Sequence, residues 1–126
     1  EALNRFECYL CNTMAQLRML VELTNHPNVR GMFDTHHANM EEKTFADAIR
    51  TIAPVLVHVH LSENDRGTPG SGHVNFKESL ATLASGVPVT AGVDLDYAWD
   101  GSGAADGVVS ISSFRDQTGA DGAPGA

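Results

Sequence analysis

The run Val55-Leu-Val-His-Val-His-Leu61 constrains the fold most. It is short, apolar and β-branched, as a strand buried on both faces requires, and segments of helical period flank it. Before it, Phe45, Ala46, Ile49, Ile52 and Ala53 share one helical face, and Pro54 stops that helix. Asn39 and Glu42 stand at capping-box spacing ahead of this segment. After the strand, Asn75 and Glu78 repeat the spacing before Phe76, Leu80 and Leu83. Nearer the start, Thr13 and Gln16 do the same before Met14, Leu17, Leu20 and Val21. Asn25-His-Pro-Asn28 ends that first helix, and Val29 to Phe33 reads as a short strand. Ala2-Leu3 fits the last turn of a further strand. Three helices alternating with short apolar strands predict an α/β fold of parallel βα units.

The periodicity fades after Ser85. Gly86 to Thr90 reads as a short strand, Gly92 to Ala105 as loop, and Val108 to Ile111 as a last strand. Arg115 to Ala126 is rich in Gly, Ala, Asp and Pro, the composition of a disordered tail. The expected organisation is thus one partial domain over residues 1–114 and a tail over 115–126.

Charge and length narrow the function classes. Sixteen acidic against eight basic residues leave a formal charge of -8, which disfavours nucleic acid and anionic membrane as partners. No apolar run reaches the roughly 18 residues of a membrane span. Cys8 and Cys11 form a lone C-x-x-C with no second pair, so plain thiols in a reducing, cytoplasmic setting are expected. A closed barrel of eight βα units takes about 250 residues. A barrel reading of 126 residues is therefore a fragment reading, and a start at Glu1 rather than Met fits it.

The polar residues sit where parallel strands would end. Glu1, Asp34 and His60 each fall at or near the C-terminal end of an expected strand, 33 and 26 residues apart. In a parallel barrel those ends converge on one rim. Two carboxylates and an imidazole suit Mn²⁺, Co²⁺ or Mg²⁺ better than a thiolate-seeking metal. Plainer readings stand beside this one: Glu1 as solvated surface, Asp34 as a helix cap, His60 as a core histidine. Glu7, His36, His37 and Ser62-Glu-Asn-Asp-Arg66 add polar groups nearby, with Arg66 a natural donor to hydroxyls or phosphate, although a charged, solvated loop accounts for the last stretch equally well. Gly67 to His73 is glycine-rich but lacks the lysine and hydroxyl of a phosphate-binding loop.

Three motifs in order carry a resemblance: Glu1-Ala-Leu-Asn-Arg-Phe-Glu7, Phe33-Asp-Thr-His-His-Ala-Asn-Met-Glu-Glu42, and His58 through His73. Together they resemble the ketose 3-epimerase group, which includes D-tagatose and D-psicose 3-epimerases, of the xylose-isomerase-like barrels. The resemblance implies the C-terminal portion of a (β/α)8 TIM barrel and an isomerase or epimerase of carbohydrate metabolism. It implies metal-dependent 3-epimerisation of a ketose through an enediolate. Glu1, Asp34 and His60 would ligate the metal, most often Mn²⁺ in this group and sometimes Co²⁺ or Mg²⁺. Glu1 would also serve as catalytic acid/base. Glu7, His37 and Arg66 would bind the sugar, and His58 would be a neighbour of the site. One position departs from the group: Asp106 to Phe114 fits the frame of its last strand, but Ser112 stands where a second catalytic glutamate is expected. Asp94 or Asp96 would replace it only if the strand ran there instead.

Two other functions stay open. An aldose–ketose or hydroxypyruvate-type isomerase would use the same cradle, and a sugar-binding remnant would keep the fold without turnover. Metal-dependent phosphodiesterases and apurinic endonucleases share the barrel but use more ligands. An open half-barrel exposes strand edges and apolar interior, so a missing N-terminal half-barrel or a second copy is expected as partner.

Overall fold

The computed structural model describes residues 1–85 and the backbone of two further strands, 94–101 and 105–111. Helices α1 (Met14–Thr24), α2 (Thr35–Glu41), α3 (Phe45–Ile52) and α4 (Phe76–Ala84) alternate with strands β1 (Gly31–Asp34) and β2 (Leu56–Leu61). Strands β3 (Asp94–Gly101) and β4 (Ala105–Ile111) follow. The four strands form one sheet in the order β1-β2-β3-β4. The first three are mutually parallel, as the βα alternation predicts, and β4 turns back antiparallel to β3.

Each helix begins where a side chain can satisfy its first N–H groups. Thr13 and Gln16 form the expected capping box on α1, and the Met14 N–H is taken at 2.7 Å by Glu42 Oε1. Asn75 caps α4 by accepting from the Glu78 N–H. Glu78 in turn reaches across to the Ala46 N–H at the start of α3, 3.0 Å away. Neighbouring helices are thus cross-capped, α1 from beyond α2 and α3 from α4.

The core lies between the helices and the sheet. Helix α1 packs on α3, and α3 packs on α4. Phe33 of β1 meets the ring of Phe45 edge to face at 6.0 Å, and Val59, Ile49 and Ile52 are fully buried. Cys11 is buried beside this core and Cys8 is half-buried, both as free thiols.

Several expectations need correction. The spacing of Asn39 and Glu42 is not a cap: Asn39 lies inside α2, and Thr44 caps α3 by accepting from the Asp47 N–H. Helix α2 itself escapes a search for periodicity because Thr35–Glu41 is mostly polar, with Ala38 and Met40 its two apolar residues. Leu20 and Leu80 stay 46% and 36% exposed, because α1 packs through Met14, Leu17 and Val21, and α4 buries Ser79 and Thr82. Ala2-Leu3 forms no strand; Asn12 holds this segment by donating to the carbonyls of Leu3 and Cys8. The span from Gly92 to Ala105 is not all loop, since β3 occupies most of it. Strand β4, Ala105–Ile111, contains the expected Val108–Ile111 strand and starts earlier. The expected strand at 86–90, Ser112 and the tail at 115–126 lie outside the described residues.

Candidate active site

The site stands at the C-terminal ends of β1 and β2, where the parallel register aligns Asp34 with His60. The same register aligns His60 with Asp96 of β3, so Asp34, His60 and Asp96 form one row across the sheet. Aligned residues of a sheet share a face. Asp94 aligns with His58, two residues earlier along the same strands.

Asp34 serves two neighbours at once. Its Oδ1 accepts from the His36 N–H at 2.7 Å and caps α2, while its Oδ2 lies 3.3 Å from His60 Nδ1. Burial pushes the Asp34 carboxyl up. The His60 contact and the His36 N–H outweigh it and leave the group below its ordinary value. The cap reading and the ligand reading of Asp34 are therefore compatible. Glu1 completes the group: one ligand atom each from Glu1, Asp34 and His60 lies within 4.8 Å of the others. A small cation bridges donors at such spacing, and the donor chemistry fits a hard or borderline divalent ion.

His37 is buried, and its tautomer is fixed. A backbone N–H only donates, and the Asn4 N–H points at His37 Nδ1 from 3.0 Å. Nδ1 therefore accepts, and the proton of the neutral ring sits on Nε2, 3.6 Å from Glu1 Oε1. Asn4 is itself 2% exposed and sends its side-chain amide to both His37 Nδ1 and Glu7 Oε1. Glu7 also accepts from Arg66 Nη2 at 2.6 Å. The Arg66 hydrogen bond, seconded by Asn4, holds the Glu7 carboxyl below its ordinary value.

His36 points the other way. Its Nδ1 lies 3.0 Å from the Glu63 carbonyl, which only accepts, so Nδ1 carries the proton. Glu7, His36 and His37 also approach within metal-binding distance of one another. Arg66 already neutralises Glu7 there, and Asn4 occupies His37 Nδ1, so this second cluster reads as a hydrogen-bonded wall.

All six residues singled out in the sequence thus meet in two linked groups: Glu1, Asp34 and His60 in one, Glu7, His37 and Arg66 in the other. Four residues of the site carry no site role in the sequence: Asn4, Thr35, His36 and Glu63. Their burial, between 0% and 6% exposed, is the distinguishing property, and no linear pattern announces it. The Thr35 hydroxyl donates to the Ser62 carbonyl at 2.7 Å and accepts from the Ser62 N–H at 2.8 Å, which ties the end of β1 to the end of β2.

Known proteins resemble this chain in sequence and fold. A D-psicose 3-epimerase of Agrobacterium fabrum is 45% identical over 78 residues, 62% of this chain and 27% of that protein. One from Ruminiclostridium cellulolyticum is 43% identical over 84 residues, 67% of this chain and 29% of its own length. A 3-dehydro-D-guloside 4-epimerase of Escherichia coli is 36% identical over 76 residues, 60% of this chain and 29% of that protein. A solved D-psicose 3-epimerase with D-tagatose, from Clostridium cellulolyticum, superposes with a TM-score of 0.67 at 38% identity over 75% of this chain and 32% of that one. The chain therefore spans under a third of the length of these relatives. The profile of the xylose isomerase-like TIM barrel matches residues 1–97, and the chain belongs to that family.

Proposed function

We propose that this chain carries the metal- and sugar-binding rim of an epimerase that inverts C3 of a ketose. The observation that carries the reading is the convergence of Glu1, Asp34 and His60 within 4.8 Å, beside a Glu7–Arg66 pair and a histidine proton aimed at Glu1. Relatives named D-psicose 3-epimerase and L-ribulose 3-epimerase support the substrate class.

Glu1, Asp34 and His60 would hold a divalent ion, with Mn²⁺ preferred and Co²⁺ or Mg²⁺ as alternatives. Bound there, such an ion polarises the ketose carbonyl and stabilises negative charge that develops beside it. The Glu1 carboxylate takes the C3 proton, leaving an enediolate, and the His37 Nε2–H steadies Glu1 in position. Arg66 donates to a sugar oxygen while Glu7 accepts from a hydroxyl, so the pair orients the ring-opened chain. Inversion needs a second proton donor on the opposite face of C3. The alignment of Asp96 with His60 and Asp34 supports Asp96 for that role. The pairing of β3, Asp94–Gly101, with β2 supports the alternative in which Asp94 or Asp96 stands in for the glutamate expected at Ser112.

A second reading has its own support. The E. coli 4-epimerase also inverts a carbon, and its 3-dehydro substrate has a ketone next to that carbon, so the same proton transfer would serve a 3-keto sugar. Among the described residues β1 is paired on one side only, with β2. A further part of the barrel, or a second copy, is proposed to cover that edge.

Proton exchange tests the reading. The chain is incubated with Mn²⁺ and D-psicose or D-fructose in deuterated water, and the sugar is examined by NMR. Deuterium at C3 is expected. Deuterium at C1 alone would replace the proposal by an aldose–ketose isomerase, and metal and sugar binding without exchange would replace it by a binding remnant.

A further inference from the structure

Glu63 opens the loop between β2 and α4, and its side chain is completely buried. Its Oε1 accepts from the Gly70 N–H at 2.8 Å, and its Oε2 accepts from Val74 at 3.1 Å and Asn64 at 3.2 Å. The loop is therefore wound around one carboxylate. Gly72 passes so close that a Cβ there would lie 2.5 Å from Glu63 Oε2 and 2.2 Å from Asn64 Oδ1. The backbone of Glu63 takes part as well: its carbonyl accepts from the Arg66 N–H at 3.0 Å and from His36 Nδ1 at 3.0 Å. Arg66 itself has φ +62°, a conformation that a side-chain-bearing residue keeps only where its surroundings impose it.

We propose that Glu63 is the positioning residue for Arg66: its buried carboxylate winds residues 63–74 into the conformation that holds Arg66 at positive φ and delivers its guanidinium to Glu7. The inference rests on the reading of Arg66 and Glu7 as sugar contacts. The chemistry explains why a carboxylate is needed. Every partner of the Glu63 side chain is a backbone N–H, and an ionised carboxylate is the one side chain that only accepts. Burial pushes the Glu63 carboxyl up, and the surrounding N–H groups outweigh burial and keep it below its ordinary value. Glutamine would fill the same space but aim an N–H at other N–H groups. Arg66 is three residues away and touches no atom of the carboxylate, so the effect has to travel through the loop.

The test reads Arg66 through its partner. In the 126-residue chain, the Glu7 carboxylate is titrated by 13C NMR. In wild type a midpoint below the ordinary carboxylate value is expected, and Arg66→Ala supplies the value for Glu7 without its partner. Glu63→Gln is expected to recover most of that rise while the cross-peaks of α1 and β2 stay in place. Amide exchange over 64–74 should accelerate about tenfold or more as the loop opens locally. Gly72→Ala, which crowds Oε2 and leaves the charge intact, should shift Glu7 in the same direction and decides the matter if Glu63→Gln does not fold. A Glu7 midpoint that stays low in both variants would overturn the proposal. A separate titration of wild type with D-psicose and Mn²⁺ judges the sugar reading: no change at Glu7 would remove Arg66 as a sugar contact while leaving the coupling of Glu63 to Arg66 intact.

Discussion

Thr35→Val is the substitution that most directly probes how the site is built. Thr35 is fully buried, and its hydroxyl serves both backbone groups of Ser62, at 2.7 and 2.8 Å. A third contact, to the His60 carbonyl at 3.5 Å, is at the limit of a hydrogen bond and contributes little. Valine keeps the shape and removes the oxygen, so the Ser62 N–H and C=O lose their partner inside the protein. A buried group left unpaired costs about 1–3 kcal/mol. Two such groups, less about 0.8 kcal/mol for the added buried methyl, give a net loss of about 1–5 kcal/mol. Thr35→Ser is the internal comparison: it keeps the hydroxyl and deletes one methyl, at a cost of about 1 kcal/mol. Urea unfolding followed by circular dichroism measures both, with the midpoint shifting at constant slope if only stability changes. Valine must be the more damaging of the two. If serine costs as much or more, the hydroxyl bridge between β1 and β2 is not what holds Asp34 beside His60.

Other consequences follow from the same geometry. Because the Glu63 carboxyl lies below its unfolded value of about 4.3, its contribution is fully present above that pH and is lost as pH falls through the folded value; urea midpoints should therefore fall below about pH 4, and Glu63→Gln should flatten that fall. Thr13→Ala removes one half of the α1 capping box and should cost about 1 kcal/mol by the same unfolding assay, with no effect on metal binding. Asp34→Asn should abolish Mn²⁺ binding measured by calorimetry. Asp96→Asn should slow C3 exchange by about 10²–10⁴-fold, the worth of a positioned acid or base, and Asp94→Asn should leave it near wild type; equal effects at 94 and 96 would refute the role of Asp96.

The parts of the fold legible in the sequence are those where local pattern and tertiary packing agree. Val55 to Leu61 is β-branched and becomes β2, and Thr13 to Val21 carries both its cap and its apolar stripe and becomes α1. Helix α2 is different. Thr35–Glu41 has no apolar stripe because its buried face is Ala38 together with Thr35, His36 and His37, whose polar atoms are satisfied by residues of other segments. Strand β3 did offer a signal. Leu95, Tyr97 and Trp99 alternate with Asp94, Asp96, Ala98 and Asp100, the period of two that marks a strand, and the glycines and aspartates around them hide it.

The site divides along the same line. Asp34 and His60 could be grouped from the sequence because parallel strands carry their C-terminal ends to one edge, so position in the chain already implies position in space. The support beneath them obeys no such rule. Ser62 to Arg66 reads as a solvated polar loop, yet Glu63 is sealed inside it, because Asn64, Gly70 and Val74, spread along the loop, turn their N–H groups inward and a single carboxylate answers all three. Asn4 likewise joins His37 to Glu7 only once Asn12 has folded residues 1–12 back on themselves. Residues placed by strand register are therefore readable from spacing, whereas the groups that fix a tautomer or wind a loop become readable only when the backbone donors they satisfy have positions.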